Sequence, residues 1–295
     1  IIVNKDALGE PRNVVINGND SESEKFKDLV SHSIKVGQHI WPQLNHPGRQ
    51  ALKAVSKKIV APSVSKVTLV PGMFGEAKEL TENEIQDIIK DFTTSAQYSK
   101  EFGFTGVQIH AAHGYLISQF LSPLTNKRKD KWGGSIENRS RFLIEIIKKT
   151  RSIVGADFPI GVKINSADFQ RGGFTEDDCI EVLKALDESG VDLIELSGGT
   201  YEAPTMVSGN TKESTVKREA FFMEFAEKAK DVIKTPLMLT GGFRSIKGMD
   251  EAIGSEKVDI IGIARPMVWD THFPKKLLSG EVSSIECNPP ELPIK

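Results

Sequence analysis

From about residue 21 onward, segments with helical spacing alternate with short apolar runs, and this alternation restricts the fold more than any other feature of the chain. The segments with helical spacing are 21–36, 81–102, 135–154, 175–189, 219–233, a short segment after Arg244, and 267–278. The runs that predict strands are 39–44, 106–109, 160–165, 192–197, 237–240 and 259–264. These six βα units in a row predict a parallel sheet, either open and doubly wound or closed into a (β/α)8 barrel.

The boundaries of the predicted helices carry residues that helices favour at their ends. Thr81 is followed by Glu84 and Thr175 by Asp178, which is the spacing of a capping box. Gly37 follows the first helical segment and suits a helix stop. Local signals therefore agree with the alternation of element types.

Polar turns after the last two predicted strands favour the barrel over the doubly wound sheet. Residues 240–244 read Thr-Gly-Gly-Phe-Arg after one strand, and residues 264–266 read Ala-Arg-Pro after the next. Barrel enzymes hold a phosphate group on backbone N–H groups at this place. A glycine turn that only supplies a positive φ where a helix begins is the alternative interpretation.

The composition describes a globular chain with one large core and excludes several classes of partner. Of 295 residues, 39% are hydrophobic and 26% are charged, and the formal net charge is -2. No basic stripe interleaved with aromatic residues is present, so we expect neither a nucleic-acid nor a membrane partner. The longest apolar runs, such as 258–264, are far shorter than the roughly 20 residues of a membrane helix. With only Cys179 and Cys287, we expect no disulfide framework or metal site, and a reducing, cytoplasmic location.

The segment 110–115 reads His-Ala-Ala-His-Gly-Tyr and follows a predicted strand that ends at Ile109. Barrels and doubly wound sheets carry their chemistry at the carboxyl ends of strands. Two imidazoles and a phenol can hold a ligand oxygen and supply a proton, so we expect the active site here. A metal site is disfavoured because no third ligand lies at a characteristic spacing, and a purely structural histidine pair is the other alternative.

Several motifs in sequence order resemble the old yellow enzyme family of FMN-dependent ene-reductases and NAD(P)H:flavin oxidoreductases. The matching segments are 7–15, 43–49, 110–121, 126–139, 163–169 and the two turns after the last strands. The resemblance implies a TIM barrel of the (β/α)8 type that binds FMN and is reduced by NADH or NADPH. It also implies a small-molecule acceptor, which is an activated alkene such as an enone or nitroalkene, or a quinone-like compound, and it leaves a homo-oligomer open.

The resemblance also implies roles for individual residues. Gln43 corresponds to the family glutamine that hydrogen-bonds the pyrimidine edge of the flavin, where an amide supplies a donor and an acceptor. His110 and His113 correspond to the pair that holds the ligand oxygen, and Tyr115 to the tyrosine that donates a proton to the alkene. These three are the catalytic residues that the resemblance predicts.

Lys163 lies where the family has a cation, usually arginine, beside flavin N1, and lysine supplies this charge without a bidentate fork. The phosphate cradle corresponds to Gly241, Gly242, Ala264 and Arg265. Two alternatives for Lys163 stay open: a solvated lysine on the outer face of the strand, and a Schiff-base lysine of the kind that some aldolases use.

Some features depart from the family pattern. Asn45 and Trp132 replace aromatic residues that are common in the family, and residues 60–80 are unusual and could form a hairpin or a cap over the barrel mouth. The family's first two strands would precede Ile1, so we expect residues 1–295 to be a single FMN-binding TIM-barrel domain truncated at its N-terminus. A catalytically silent flavin- or ligand-binding barrel, and a truncated product that does not fold alone, are the alternatives to an enzyme.

Overall fold

The computed structural model describes residues 1–18, 20–68, 72–198 and 222–286. The strands are β1 Gln43–Leu44, β2 Val60–Ala61, β3 Ser65–Lys66, β4 Glu76–Glu79, β5 Val107–Ala111, β6 Ile160–Asn165, β7 Leu193–Ser197, β8 Leu237–Thr240 and β9 Ile260–Gly262. The helices are α1 Asp20–Lys35, α2 Glu82–Glu101, α3 Leu116–Leu121, α4 Ile136–Val154, α5 Glu176–Glu188, α6 Met223–Lys230, α7 Ile246–Gly254, α8 Arg265–Trp269 and α9 Phe273–Leu278.

The main sheet contains the six predicted strands in the order β1-β5-β6-β7-β8-β9, and all neighbouring pairs are parallel. Each strand of this sheet therefore pairs with the next strand of the same sheet along the chain. A doubly wound sheet instead reverses its strand order at a switch point. The progressive order is that of a (β/α) barrel, and the prediction of a TIM-barrel type is confirmed.

The core lies between the sheet and the helices that cover it, with α2 and α4 packed beside each other. Strand β6 is buried at every position except Lys163, as expected for a parallel strand covered on both faces. The rings of Phe120 and Phe142 stack with centroids 4.3 Å apart, and the fully buried Trp132 meets Phe142 edge-on. The indole N–H of Trp132 donates to Glu82 at 2.6 Å, so this departure from the family pattern contributes to packing between helices.

Helix boundaries follow the predicted caps. Thr81 accepts from the backbone N–H of Glu84 at 3.3 Å, and the Glu84 carboxylate accepts from the backbone N–H of Thr81 at 2.9 Å. Thr175 and Asp178 form the same reciprocal pair at the start of α5. Both predicted capping boxes are confirmed.

The prediction of one helix over 267–278 is wrong, because the chain forms two short helices, α8 and α9. Pro274 lies in the first turn of α9, where its missing N–H costs no hydrogen bond. Inside a continuous helix its ring would clash with the carbonyl of Asp270. The break falls between these residues, where the Asp270 carboxylate accepts from the backbone N–H of His272 at 2.8 Å.

Smaller differences concern the ends of elements. The predicted strands 39–44 and 259–264 shorten to β1 and β9, which form the two edges of the main sheet. Helix α6 is shorter than the predicted 219–233, of which residues 219–221 lie outside the described residues, as does Cys287. None of the helices in the described ranges is both long and apolar enough to cross a membrane.

Residues 60–80 form a small separate sheet in the order β2-β4-β3, with residues 69–71 outside the description. Strands β3 and β4 are antiparallel, as in the predicted hairpin, but β2 adds to β4 in parallel. Both β2 and β4 contact the short 3-10 helix Gly48–Gln50, which follows β1. The small sheet thus packs at the carboxyl end of β1.

We expect Thr175→Ala to lower the free energy of unfolding by about 1 kcal/mol, because the first turn of α5 loses its side-chain cap. The urea midpoint of the variant, measured by circular dichroism, checks this expectation. Thr175→Ser keeps the hydroxyl that accepts from the backbone N–H of Asp178, so its urea midpoint should stay close to that of wild type. Equal destabilisation by both substitutions would contradict the assigned cap.

Candidate active site

His110 lies inside β5, one residue before the strand ends at Ala111 and one residue beyond the predicted strand end at Ile109. The register pairs His110 with Lys163 of β6, and Lys163 with Glu195 of β7. Residues paired in register on neighbouring strands point to the same face of a sheet. The three side chains therefore form one row on the inner face of the barrel, near the carboxyl ends of the strands.

The two histidines are in direct contact. His110 Nε2 lies 3.3 Å from His113 Nδ1, and His113 Nε2 lies 2.9 Å from the hydroxyl of Ser197 on β7. His113 has a φ of 60°, which is uncommon outside glycine, and its backbone N–H donates to Asn165 Oδ1 at 3.2 Å. This turn folds His113 back over the ends of β6 and β7 instead of continuing the strand.

Both imidazoles are neutral at pH 7. Burial, and then the positive charge of Lys163, lower the pKa of His113 to about 4. Burial is also the main cause that holds the pKa of His110 well below its ordinary value, ahead of His113 and Lys163. The backbone N–H of Ala112 donates to His110 Nδ1 at 3.4 Å, so the proton of His110 is on Nε2 and points to His113. By the same logic His113 carries its proton on Nε2 and donates to Ser197.

Tyr115 begins α3 as its N-terminal cap residue and is half-buried. Its ring meets the ring of His110 edge-on, with centroids 4.9 Å apart. The structure thus brings together the three residues that the sequence identified as catalytic. His110 contacts both His113 and Tyr115, so the three residues share one site at the end of β5 and in the loop that follows it.

A partly buried network of polar side chains, which the sequence did not reveal, lies beside the histidines. The Gln43 amide donates to Gln108 Oε1 at 2.6 Å, and the Gln108 amide donates to Glu195 Oε2 at 2.7 Å. The other carboxylate oxygen, Oε1, lies 2.8 Å from Lys163 Nζ and accepts from the Thr240 hydroxyl at 2.7 Å. We call these five residues the barrel network, and they link β1, β5, β6, β7 and β8 in a continuous chain of hydrogen bonds.

The orientation of Lys163 decides between its alternatives. Its side chain is only 15% exposed and its ion-pair partner Glu195 is buried, so the interpretation as a solvated outer-face lysine is wrong. An ammonium held by a carboxylate is not a nucleophile, which argues against a Schiff-base role. A charged residue between the apolar residues Ile194 and Leu196, inside the predicted strand 192–197, was the available signal for Glu195.

The predicted phosphate residues lie at the ends of the last two strands. Gly241 and Gly242 follow β8, and Gly242 has a φ of 84° that glycine adopts without strain. Ala264 and Arg265 follow β9 and are exposed at the start of α8. Because β8 and β9 are parallel neighbours, both turns leave the same edge of the sheet.

A second polar cluster lies between the 3-10 helix after β1, helix α3 and the loop after β6. It surrounds a cavity of about 230 Å³ whose wall includes Arg49, Gly114 and Asp168. The buried Asp168 carboxylate accepts from the Ser122 hydroxyl at 2.5 Å and from the backbone N–H of Phe174 at 2.9 Å. Burial raises the pKa of Asp168. These bonds hold the loop after β6 against α3.

A larger cavity of about 520 Å³ lies on the outer side, between α4 and α5, and charged side chains such as Arg141 and Lys184 line much of it. None of the predicted site residues lines it. Among the described residues, no group of three or more histidine, cysteine, aspartate or glutamate side chains could hold a metal ion.

Comparison with known proteins identifies the family of this chain. The NADH:flavin oxidoreductase / NADH oxidase family matches residues 1–283. The chain belongs to this family. Membership confirms the predicted resemblance to old yellow enzymes and the expected flavin cofactor, FMN. Relatives of the chain are named NADH-dependent flavin oxidoreductases and NADPH dehydrogenases.

Individual relatives differ in length from this chain. The NADH-dependent flavin oxidoreductase iccE of Talaromyces variabilis is 38% identical over 293 residues, covering 92% of this chain and 71% of that protein. The NADH-dependent flavin oxidoreductase iliE of Neonectria sp. (strain DH2) is 38% identical over 255 residues, or 79% of this chain, and the match spans only 33% of that protein. The solved old yellow enzyme homologue from Zymomonas mobilis is 26% identical, with a TM-score of 0.81, and the match covers 96% of this chain and 78% of that one.

The residues of the site fit FMN. Gln43 offers an amide donor and acceptor, and Lys163 offers a cation on the same inner face. At the opposite end of the barrel network, Gly262 has no room for a side chain, since an added Cβ would lie 1.8 Å from Thr240 Oγ1. Gly262 therefore leaves room for the Thr240 side chain. In the turn after β8, Gly241 and Gly242 allow a phosphate to approach the backbone closely.

We expect stability to fall as the pH decreases from about 6.5 to about 4, because histidine takes up a proton near pH 6.5 in the unfolded chain. Folded His113 resists protonation until about pH 4, so the unfolded state binds more protons over this interval. His113→Gln should make the decline shallower by up to about 1.4 kcal/mol per pH unit.

Urea unfolding of wild type and variant across this pH interval measures the difference. His39→Gln replaces an exposed imidazole and serves as the matched control, with the wild-type slope expected. A His113→Gln variant with the wild-type slope would contradict the neutral, buried state of this ring.

Proposed function

We propose that the protein catalyses NAD(P)H-dependent reduction of an activated alkene, such as an enone or nitroalkene, or of a quinone-like acceptor, with residues 1–295 acting as one FMN-binding domain. The observation that carries the proposal is the convergence of His110, His113 and Tyr115 beside the Lys163–Glu195 ion pair. Neutral hydrogen-bond donors and a fixed positive charge meet on one inner face, which suits a reaction that moves negative charge onto an oxygen.

In this proposal the barrel network and the two turns hold the cofactor. Gln43 and Lys163 would bind the pyrimidine edge of FMN, and the phosphate would lie on the turns with Gly241, Gly242, Ala264 and Arg265. When bound, FMN supplies the hydride chemistry, taking a hydride from NAD(P)H and giving one to the acceptor.

The histidines would polarise the acceptor. His113 Nε2 donates to the Ser197 hydroxyl in the structure, so an acceptor oxygen that takes the place of this hydroxyl receives the same N–H. His110 fixes the proton position of His113 through the bond between their rings. A neutral donor stabilises the charge that develops on the oxygen in the transition state and does not need to lose its own proton.

Tyr115 would donate the proton that completes reduction of the alkene. Its ring lies at the start of α3 with its centroid 4.9 Å from that of His110, which supports a phenol close to the histidines that would hold the acceptor oxygen. The proton lost to product is replaced from solvent, to which the half-buried ring has access. Reduction by NAD(P)H and reduction of the acceptor then share one site, and we expect ping-pong kinetics.

A visible absorption spectrum of the purified protein tests the proposal directly. We expect bound oxidised flavin that bleaches on addition of NAD(P)H without oxygen and recovers when an enone is added. Bound flavin that bleaches but never recovers with any activated alkene or quinone would indicate a silent flavin-binding barrel. A folded protein that does not take up FMN would overturn the proposal.

We expect Tyr115→Phe to slow the reduction of an enone by roughly 100-fold or more, because a positioned general acid contributes a factor of that order. Reduction of the bound flavin by NAD(P)H should stay close to wild type, since this half-reaction does not use the phenol. Stopped-flow absorbance measures the two half-reactions separately. Tyr98→Phe removes a hydroxyl from α2, outside the site, and is the matched control. Full enone reduction by Tyr115→Phe would remove Tyr115 from its assigned role.

A further inference from the structure

Glu195 is the centre of the barrel network, and the function proposed so far gives it no individual role. Its carboxylate accepts hydrogen bonds from Gln108 at 2.7 Å and from Thr240 at 2.7 Å, and it lies 2.8 Å from Lys163 Nζ. The residue is 6% exposed. Three donors from three different strands thus converge on one buried carboxylate.

The surroundings of the Glu195 carboxylate favour its ionised form. Burial raises the pKa of Glu195, but the charge and hydrogen bond of Lys163, together with the hydrogen bonds from Thr240 and Gln108, outweigh it, so that the pKa lies below its ordinary value. The Lys163–Glu195 ion pair, with Nζ 2.8 Å from Oε1, therefore carries no net charge. An isolated lysine at the same place would contribute a full positive charge to the inner face of the barrel.

Whether the charge of Lys163 is compensated or isolated would affect a flavin beside it. The two-electron reduced isoalloxazine ring gains negative charge, which a nearby cation stabilises in proportion to the field that it exerts. A carboxylate in contact with that cation weakens the field, and more strongly where water is excluded. The balance between Lys163 and Glu195 therefore bears on how easily the flavin is reduced.

Glu195 also controls position. Through Oε1 it holds the Lys163 ammonium, and through Oε2 it holds Gln108, which in turn accepts from the Gln43 amide. Both residues that would bind the pyrimidine edge are thus oriented, directly or through one neighbour, by the same carboxylate. Gln43 is separated from Glu195 by 152 positions in sequence, and only the barrel brings them together.

We propose that Glu195 is a positioning residue that orients Lys163 and Gln43 toward the flavin and lowers the reduction potential of the bound cofactor by compensating the lysine charge. The inference rests on the proposed function, because it requires FMN beside Lys163. It assigns to the ion pair a task beyond holding two strands together. A purely structural ion pair would affect stability without changing the potential.

The test is the midpoint potential of FMN bound to wild type and to Glu195→Gln, measured by anaerobic reduction in equilibrium with a reference dye. The amide keeps the shape of the side chain and removes its charge. In Glu195→Gln we expect the equilibrium between oxidised and reduced flavin to shift at least tenfold toward the reduced form. This corresponds to a rise of about 30 mV in the midpoint potential of a two-electron couple. Lys163→Met should shift it in the opposite direction.

Glu176→Gln is the matched control. Glu176 forms an ion pair with Lys228 at 3.0 Å on the exposed surface, so the same chemical change is made far from the inner face. The potential of this variant should equal that of wild type. A potential unchanged in Glu195→Gln, with FMN bound, would overturn the inference and leave the proposed function intact. Failure of wild type to bind FMN would overturn both.

The double variant Glu195→Gln/Lys163→Met keeps the inference testable if the single glutamate variant does not fold, because it leaves no unpaired buried charge. Removing a compensated pair should return the potential to within about threefold of the wild-type equilibrium, or about 15 mV. A potential as low as that of Lys163→Met alone would show that Glu195 does not compensate the lysine, and would overturn the inference.

Discussion

The parallel register between β5, β6 and β7 is the constraint on which the site depends. It sets His110, Lys163 and Glu195 side by side on the inner face of the barrel. A slip of one residue in either pairing would turn the slipped strand's side chains to the opposite face, among the helices. The lysine and glutamate would then be separated, and each would be a buried charge without its partner, which costs several kcal/mol. The buried ion pair therefore disfavours the alternative registers as well as forming part of the site.

Much of the fold could be predicted from the sequence, because hydrophobic periodicity is a local property. Strands β6 and β8 have the predicted bounds, and the capping boxes at Thr81 and Thr175 mark the starts of their helices. The single helix predicted over 267–278 was wrong because periodicity alone does not register the steric effect of Pro274 on the preceding turn. Strand β5 continued past Ile109 because parallel pairing with β6 extends to Ala111, and the sequence of one strand does not state where its neighbour ends.

The residues of the site likewise include some that the sequence could predict and others that it could not. His110, His113 and Tyr115 lie close together in sequence, so their spacing was sufficient to predict a shared site, and the structure brings them into contact. Glu195 and Thr240 were missed because their partners lie on other strands: Glu195 is 87 positions from Gln108 and 45 from Thr240. A glutamate in an apolar run indicates only that some partner exists. Which residue supplies it is decided by strand order and register.

The neutral histidines and the charged ion pair depend on each other. A protonated His110 would have no acceptor for the backbone N–H of Ala112, so the bond at its Nδ1 would be lost. Lys163 opposes that protonation, because it lowers the pKa of both rings. Glu195 acts in the opposite sense on His113, raising its pKa, so the carboxylate limits the influence of the lysine on the ring.

The inner face thus presents neutral N–H donors next to a compensated cation. The hydrogen bonds therefore all run in one direction, from Ala112 through His110 and His113 to Ser197, and the last N–H of this chain is the one that we propose for an acceptor oxygen.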